Sequence, residues 1–216
     1  MLIGLTAVAG MVDAVSFLSL GHVFVANMTG NVAFVGLALA RAPGFSATTA
    51  LVAIGGFLAG AGLAGRVARR VGRDRPVLLA SGVFVEVILV AGTAVLAAVS
   101  SEPFGSSRAQ SLAALAAAAM GVQNAVARQL AVPDLTTTVL TTTLSGIAAD
   151  VTAESRERNL PRRVLAVGSL LAGALVGAVI DLHVGAAAAL AVVAGVLAAV
   201  FVSAVLASRR PGDWRR

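Results

Sequence analysis

Apolar runs follow one another from one end of this chain to the other, and that succession constrains the fold more than any single residue does. Prolines and charges divide the sequence into eight apolar segments, at about 2–20, 24–40, 46–65, 77–99, 110–130, 135–150, 164–181 and 185–207. Charged residues make up 12% of the chain against 58% hydrophobic, and the mean hydropathy is +0.95. A soluble domain carries about 25% charged residues, so too few charges remain here to solvate a globular surface. The solvent of this chain is lipid. Crossing about 30 Å of hydrocarbon takes roughly 20 residues per helix, so 216 residues make a single membrane domain, 1–216, with no room for a sizeable soluble one. The expected class is an all-α integral membrane protein.

The charges orient it. All 16 basic residues are arginine, and three clusters hold most of them: Arg66, Arg69, Arg70, Arg73 and Arg75; Arg156, Arg158, Arg162 and Arg163; and Arg209, Arg210, Arg215 and Arg216 in a basic tail over 208–216. Clusters of this kind between apolar runs mark the cytoplasmic side. They lack the interleaved aromatics of a nucleic-acid surface, so the net charge of +6 reads as membrane topology, with no nucleic-acid partner. If 66–75 and 151–163 both lie inside, an even number of crossings separates them. The segment 77–99 supplies one, so 110–150 supplies one more, and one of its two apolar stretches is re-entrant or broken. The stretch VPDLTTTVLTTTLSG, from Val132 to Gly146, has the proline and β-branched polar run of interrupted membrane backbone, tolerated only where it lines a cavity or is buried in protein. Six net crossings with both termini cytoplasmic follow. No arginine or lysine precedes the first apolar run and no small-residue cleavage site follows it, so the first segment is expected to stay as a helix.

Internal similarity divides the chain into halves at about 1–100 and 108–207. A shift of 112 places Gly56, Leu58, Leu63 and Gly65 on Gly168, Leu170, Leu175 and Gly177, and a shift of 111 places Gly10–Val15 on Gly121–Val126, with Asp13 on Asn124. The loop after the first GFLAGAGLAG is rich in arginine, whereas the loop after its counterpart, around Asp181 and His183, has none. Equivalent loops on opposite sides mean two inverted three-helix repeats, each with a broken or re-entrant polar segment. Secondary transporters built this way hold their sites near the midplane, where broken helices meet.

Polar residues inside the apolar segments define the candidate site. The string GMVDAVSFLSLGHVFVANMTGN, from Gly10 to Asn31, carries Asp13, Ser16, Asn27, Thr29 and Asn31. An intramembrane carboxylate or carboxamide is costly unless it finds a partner or a wet cavity, and so marks a functional site by default. Asp13 is the principal charged group. It could bind a proton or cation, or equally lock the two halves together through hydrogen bonds. Gly30 is expected to let the backbone leave helical geometry there. In the second half Gln123, Asn124, Thr141 and Thr142 form the mirrored set, the two threonines aligning with Thr29 and Gly30. Glu86 lies mid-segment with no acidic counterpart, since the shift lands on Ala198; it is a candidate coupling acid, an arginine partner or a subunit contact. The glycines at 56, 60, 65, 168, 173 and 177 read as close helix packing.

The strings G-x-x-D-A-x-S-F (Gly10–Phe17), L-G-H-V-F (Leu20–Phe24), A-N-M-T-G-N (Ala26–Asn31) and G-V-Q-N-A (Gly121–Ala125) are together similar to the YoaK-like family of bacterial membrane proteins of unknown function. The resemblance covers nearly the whole chain and implies a six-helix protein of the bacterial inner membrane. It implies no substrate. The family pattern carries a Thr-Gly pair in the second half, where this chain has Thr141, Thr142 and Thr143.

The expected function is therefore a carrier or channel-like protein for a small polar solute or ion. A non-transporting scaffold or sensor that uses the polar cluster for helix packing is the alternative. Enzymatic activity is not expected: the chain lacks cysteine, His22 and His183 stand alone, and no serine has a histidine at the spacing of a nucleophile and base. The same residues leave no metal site and no cofactor motif. The implied partners are the lipid bilayer and the solute, and a homo-oligomer is compatible with the pattern.

Overall fold

The computed structural model describes residues 2–71, 75–130 and 153–208, and side chains within 3–70, 75–130 and 160–207. Among them every regular element is an α-helix: α1 (Leu2–Ser19), α2 (Met28–Leu39), α3 (Ala47–Val71), α4 (Arg75–Ala98), α5 (Ser106–Gln129), α6 (Ala153–Val184) and α7 (Ala186–Ser208). The apolar stretch 135–150, with its expected re-entrant segment, lies outside the described residues.

Four helical stretches are long and apolar enough to cross a bilayer: Ala47–Arg70, Arg75–Ala98, Leu160–Val184 and Ala186–Ala207. Their outward side chains are apolar, including Leu58, Phe84, Ile88, Val95, Leu171 and Leu175. In water that would be a large sticky surface; against lipid it is the ordinary one. This is a multi-pass membrane protein. α1 is apolar but shorter, and α5 carries serines, Gln123, Asn124 and Arg128 along its length.

Hydrogen bonds and a shared depression fix which helix ends lie together. Ser19, Gly21, Thr49, Glu102 and Gln110 line one depression, so the C-terminus of α1, the N-terminus of α3, the α4–α5 loop and the N-terminus of α5 meet at one end. The turn from α6 to α7 joins them, through Ser19 Oγ donating to Asp181 Oδ2 at 2.8 Å and Ala186 N donating to Glu102 Oε1 at 2.9 Å. At the opposite end the Arg75 guanidinium donates to the Leu130 carbonyl, tying the start of α4 to the end of α5. Hence α1 runs antiparallel to α5, α3 to α6, and α4 to α7.

The most extensive helix contacts are α3 with α5, α1 with α6, and α4 with α7, followed by α4 with α5 and α1 with α7. Glycine permits the first two. A Cβ at Gly60 would collide with the Ala118 backbone, and one at Gly173 with that of Ala7; Gly121 sits against Phe57 and Ala61, and Gly10 against Leu170 and Ala174. Small residues at such crossings bring backbones together where lipid offers no hydrophobic drive. These contacts correct the single 112-residue shift. Gly56 meets the Ala114 backbone while Gly168 has nothing within 4 Å, so those two glycines are not equivalent in packing. Ala7 and Ala118, like Gly10 and Gly121, are 111 residues apart; Gly60 and Gly173, like Phe57 and Leu170, are 113 apart.

Candidate functional site

The apolar stretch 24–40 is not one helix. α1 ends at Ser19 and is followed by Gly21 and His22, both left-handed (φ 98° and 57°), a backbone that turns the chain back on itself. Residues 22–27 then run without helical structure until α2 starts at Met28. Val25 N and Ala26 N reach Asp13 Oδ1 at 2.8 and 2.7 Å, so this segment descends beside α1 to the level of Asp13. α2 climbs back to the end where Gly44 and Ser46 line the depression together with Gly21 and His22. The excursion enters and leaves by the same end.

Bare backbone at that depth needs partners, since water is not there to supply them. Asp13 supplies an acceptor for two N–H groups. Asn31, fully buried, supplies the rest: its Oδ1 accepts from Phe24 N at 2.9 Å and its Nδ2 donates to Phe24 O at 2.6 Å. Ser16 is buried as well, its Oγ donating to the Asp13 carbonyl at 3.0 Å. Four phenylalanines brace the outside: Phe24 stacks on Phe17 and Phe34, with centroids 5.5 and 5.4 Å apart, and Phe34 lies 5.1 Å from Phe45.

Gly30 does not break the helix, as the sequence suggested; it lies within the first turn of α2. A Cβ there would stand 2.6 Å from the Phe24 ring. The glycine makes room for an aromatic side chain, and the helix break falls earlier, at Gly21–Asn27. Asn27 occupies the N-cap position without making a cap hydrogen bond, and it is exposed like Thr29.

The mirrored set is only partly visible. Gln123 Nε2 donates to the Leu5 carbonyl at 3.1 Å, and Gln123 Oε1 is buried without a partner. Asn124 is half-buried next to it on α5. Thr141 and Thr142 lie outside the described residues. Glu86 is 1% exposed, and neither of its carboxyl oxygens has a partner.

The depression at the other depth was not anticipated. It encloses about 620 Å³ between the α1 C-terminus, the loop before α3 and the α4–α5 loop, with His22, Thr49, Glu102 and Gln110 on its wall. Glu102 and Asp181 look like loop charges in the sequence, yet Glu102 crosses to the N-terminus of α7, where a carboxylate is favoured by the free N–H groups. The sequence signal was merely an acid between two apolar runs. Among the described residues no three His, Asp or Glu converge on a metal position.

Comparison with known proteins supports the membrane reading. Residues 1–203 match the model of a protein family of unknown function, DUF1275. The chain is 34% identical over 143 residues to the UPF0700 transmembrane protein YoaK of Bacillus subtilis (strain 168), an alignment covering 66% of this chain and 62% of that protein's length. No solved structure matches. With nearly its whole length matched by the family model, the chain belongs to the DUF1275 family of membrane proteins of unknown function.

Proposed function

We propose that this protein is a membrane carrier for a small polar solute or ion, with six crossings arranged as two inverted three-helix halves. The observation that carries this reading is the exchange of helix partners. Swapping α1 with α5, α3 with α6 and α4 with α7 turns each of the five most extensive contacts into another of them or into itself: α3 on α5 becomes α6 on α1, α4 on α5 becomes α7 on α1, and α4 on α7 is unchanged. Each swapped pair is antiparallel, as inversion across the membrane plane requires. Inverted repeats with non-helical backbone reaching mid-depth are the architecture of many secondary transporters, and the Gly21–Asn27 excursion is such a segment. The depression of about 620 Å³ would be the entrance on the arginine-poor face. Arg66, Arg69, Arg70 and Arg162 lie near the opposite end, which the positive-inside rule assigns to the cytoplasm of a bacterial inner membrane.

A second reading has its own support. Asp13 Oδ1 and both polar ends of Asn31 are engaged by backbone, as a cluster that only locks helices together would be. The scaffold reading rests on that satisfaction, and the carrier reading on the exchange of partners.

Flux separates them. The purified protein in liposomes is given a panel of alkali cations, ammonium, chloride, small amino acids and small sugars, read by isotope uptake and osmotic swelling. The chain has no cysteine, so one placed at Gln110 can be alkylated from the depression. Passage of at least one solute above protein-free liposomes, blocked by that alkylation, is the expected result. Permeability equal to protein-free liposomes across the panel favours the scaffold.

A further inference from the structure

Glu86 stands halfway along α4, and the space beside it is shared with Gln123 of α5. Both side chains line one small cavity of about 10 Å³ whose other walls are apolar, Leu5, Leu79, Val83, Val126 and Leu130 among them. That volume is at or below what a single water needs, about 10–15 Å³. The Gln123 amide cannot flip. Its nitrogen faces the Leu5 carbonyl, which only accepts, so the amide oxygen is held toward the interior as an acceptor. Around this cavity, three buried oxygens are thus without a donor, Glu86 Oε1, Glu86 Oε2 and Gln123 Oε1.

Two acceptors cannot satisfy each other, and an unpaired carboxylate in such a place is far more costly than an unpaired neutral group. One added proton resolves both deficits. We propose that Glu86 and Gln123 form a proton-binding site in which Glu86 is a carboxylic acid at neutral pH and donates its O–H to Gln123 Oε1. A metal cation fits less well, because hard cations take about six or more oxygen ligands and this cavity offers three.

Among the described residues no charge other than Glu86 lines the cavity, and Arg66, Arg69 and Arg70 of α3, which also touches α4, are not on its wall. On α4 the other ionisable group is Arg75, engaged with the Leu130 carbonyl. α5 carries Arg108 and Arg128, both exposed. α1 carries Asp13, engaged with Val25 and Ala26, and α7 has no ionisable side chain. Leu130 both lines the cavity and receives Arg75, so the contact that closes α4 on α5 at the arginine-rich end is the one whose opening would let the proton exchange with water on that side. On the carrier reading this proton is the coupling ion; that consequence rests on the reading, whereas the protonated acid does not.

Infrared spectroscopy of the full-length protein in lipid, with ¹³C-labelled glutamate, tests it. Glutamate occurs at 86, 102, 154 and 157. The wild type at neutral pH is expected to show a carboxylic-acid C=O band that moves with the label, is lost in Glu86→Gln, shifts to the frequency of a weaker hydrogen bond in Gln123→Leu, and is unmoved in Glu102→Gln. A wild type without the band, a band that survives Glu86→Gln, or one indifferent to Gln123→Leu overturns the proposal. Glu86→Gln is a neutral isostere, so its fold is kept, and an unchanged melting temperature verifies this. The band in a protein that passes no panel solute removes the carrier reading and leaves the site; flux without the band does the reverse.

Discussion

Asn31 closes on the peptide unit of Phe24 from both sides, accepting from its N–H at 2.9 Å and donating to its C=O at 2.6 Å. One carboxamide thereby does for this stretch of backbone what a neighbouring strand does in a sheet. The isosteric Asn31→Leu leaves a buried donor and a buried acceptor unpaired, at about 1–3 kcal/mol for each orphaned group. The expected outcome is a clear fall in melting temperature in detergent. Asn31→Asp keeps the acceptor, loses the donor and buries a charge, and should melt no higher than Asn31→Leu.

Asp13 holds the next two N–H groups through a single oxygen. Asp13→Asn preserves that acceptor and should fold with nearly the wild-type melting temperature. Asp13→Leu orphans both donors and should destabilise by about 1–3 kcal/mol or more. Flux in the Asn variant then separates two roles: retention means the oxygen only positions backbone, and loss at unchanged stability means the charge is needed.

Gly60 and Gly173 each lie against an alanine backbone at a helix crossing, so the same substitution should injure both alike. Gly60→Ala and Gly173→Ala force a methyl group into the Ala118 and Ala7 backbones and should each cost about 1–3 kcal/mol by overpacking. Gly168→Ala and Gly65→Ala meet nothing within 4 Å and should be tolerated or slightly stabilising. Thermal melting of the four variants checks the pattern, and a sensitive Gly168 would restore the pairing that sequence similarity suggested.

Gly30 and Phe24 should be coupled. Gly30→Ala pushes its Cβ against the Phe24 ring, 2.6 Å away before any relaxation, and should destabilise the protein. In a Phe24→Leu background the same change should cost less, because the smaller side chain vacates the space. A double-mutant cycle measured by melting reads this directly; additive effects would mean the ring and the glycine do not meet.

Much of the fold was legible in the sequence because lipid leaves the chain little choice. A helix satisfies its own backbone and a bilayer requires that, so apolar runs such as 77–99 and 185–207 announced α4 and α7 within a few residues. The arginines marked one end for a similar reason. Asp13, Asn31 and Gln123 were conspicuous as polar groups among apolar ones. Glu102 and Asp181 were not, since an acid between two apolar runs is an ordinary residue until a partner from elsewhere in the chain meets it, the N-terminus of α7 for Glu102 and the Ser19 hydroxyl for Asp181.

What the apolar run 24–40 could not convey is where the helix stops, because residues 23–27 are as suited to hydrocarbon as those of α2. The break depends on whether backbone groups find partners, and those partners are Asp13, 12 and 13 residues away, and Asn31, seven residues away. The role of Gly30 was misread for the same reason: a glycine's freedom is visible in sequence, whereas the ring that needs its missing side chain is placed by tertiary packing. Local composition determined that these segments are helices and that they lie in lipid. Only the three-dimensional arrangement decided which polar groups are engaged by backbone, as at Asp13 and Asn31, and which are left facing a dry cavity, as at Glu86 and Gln123.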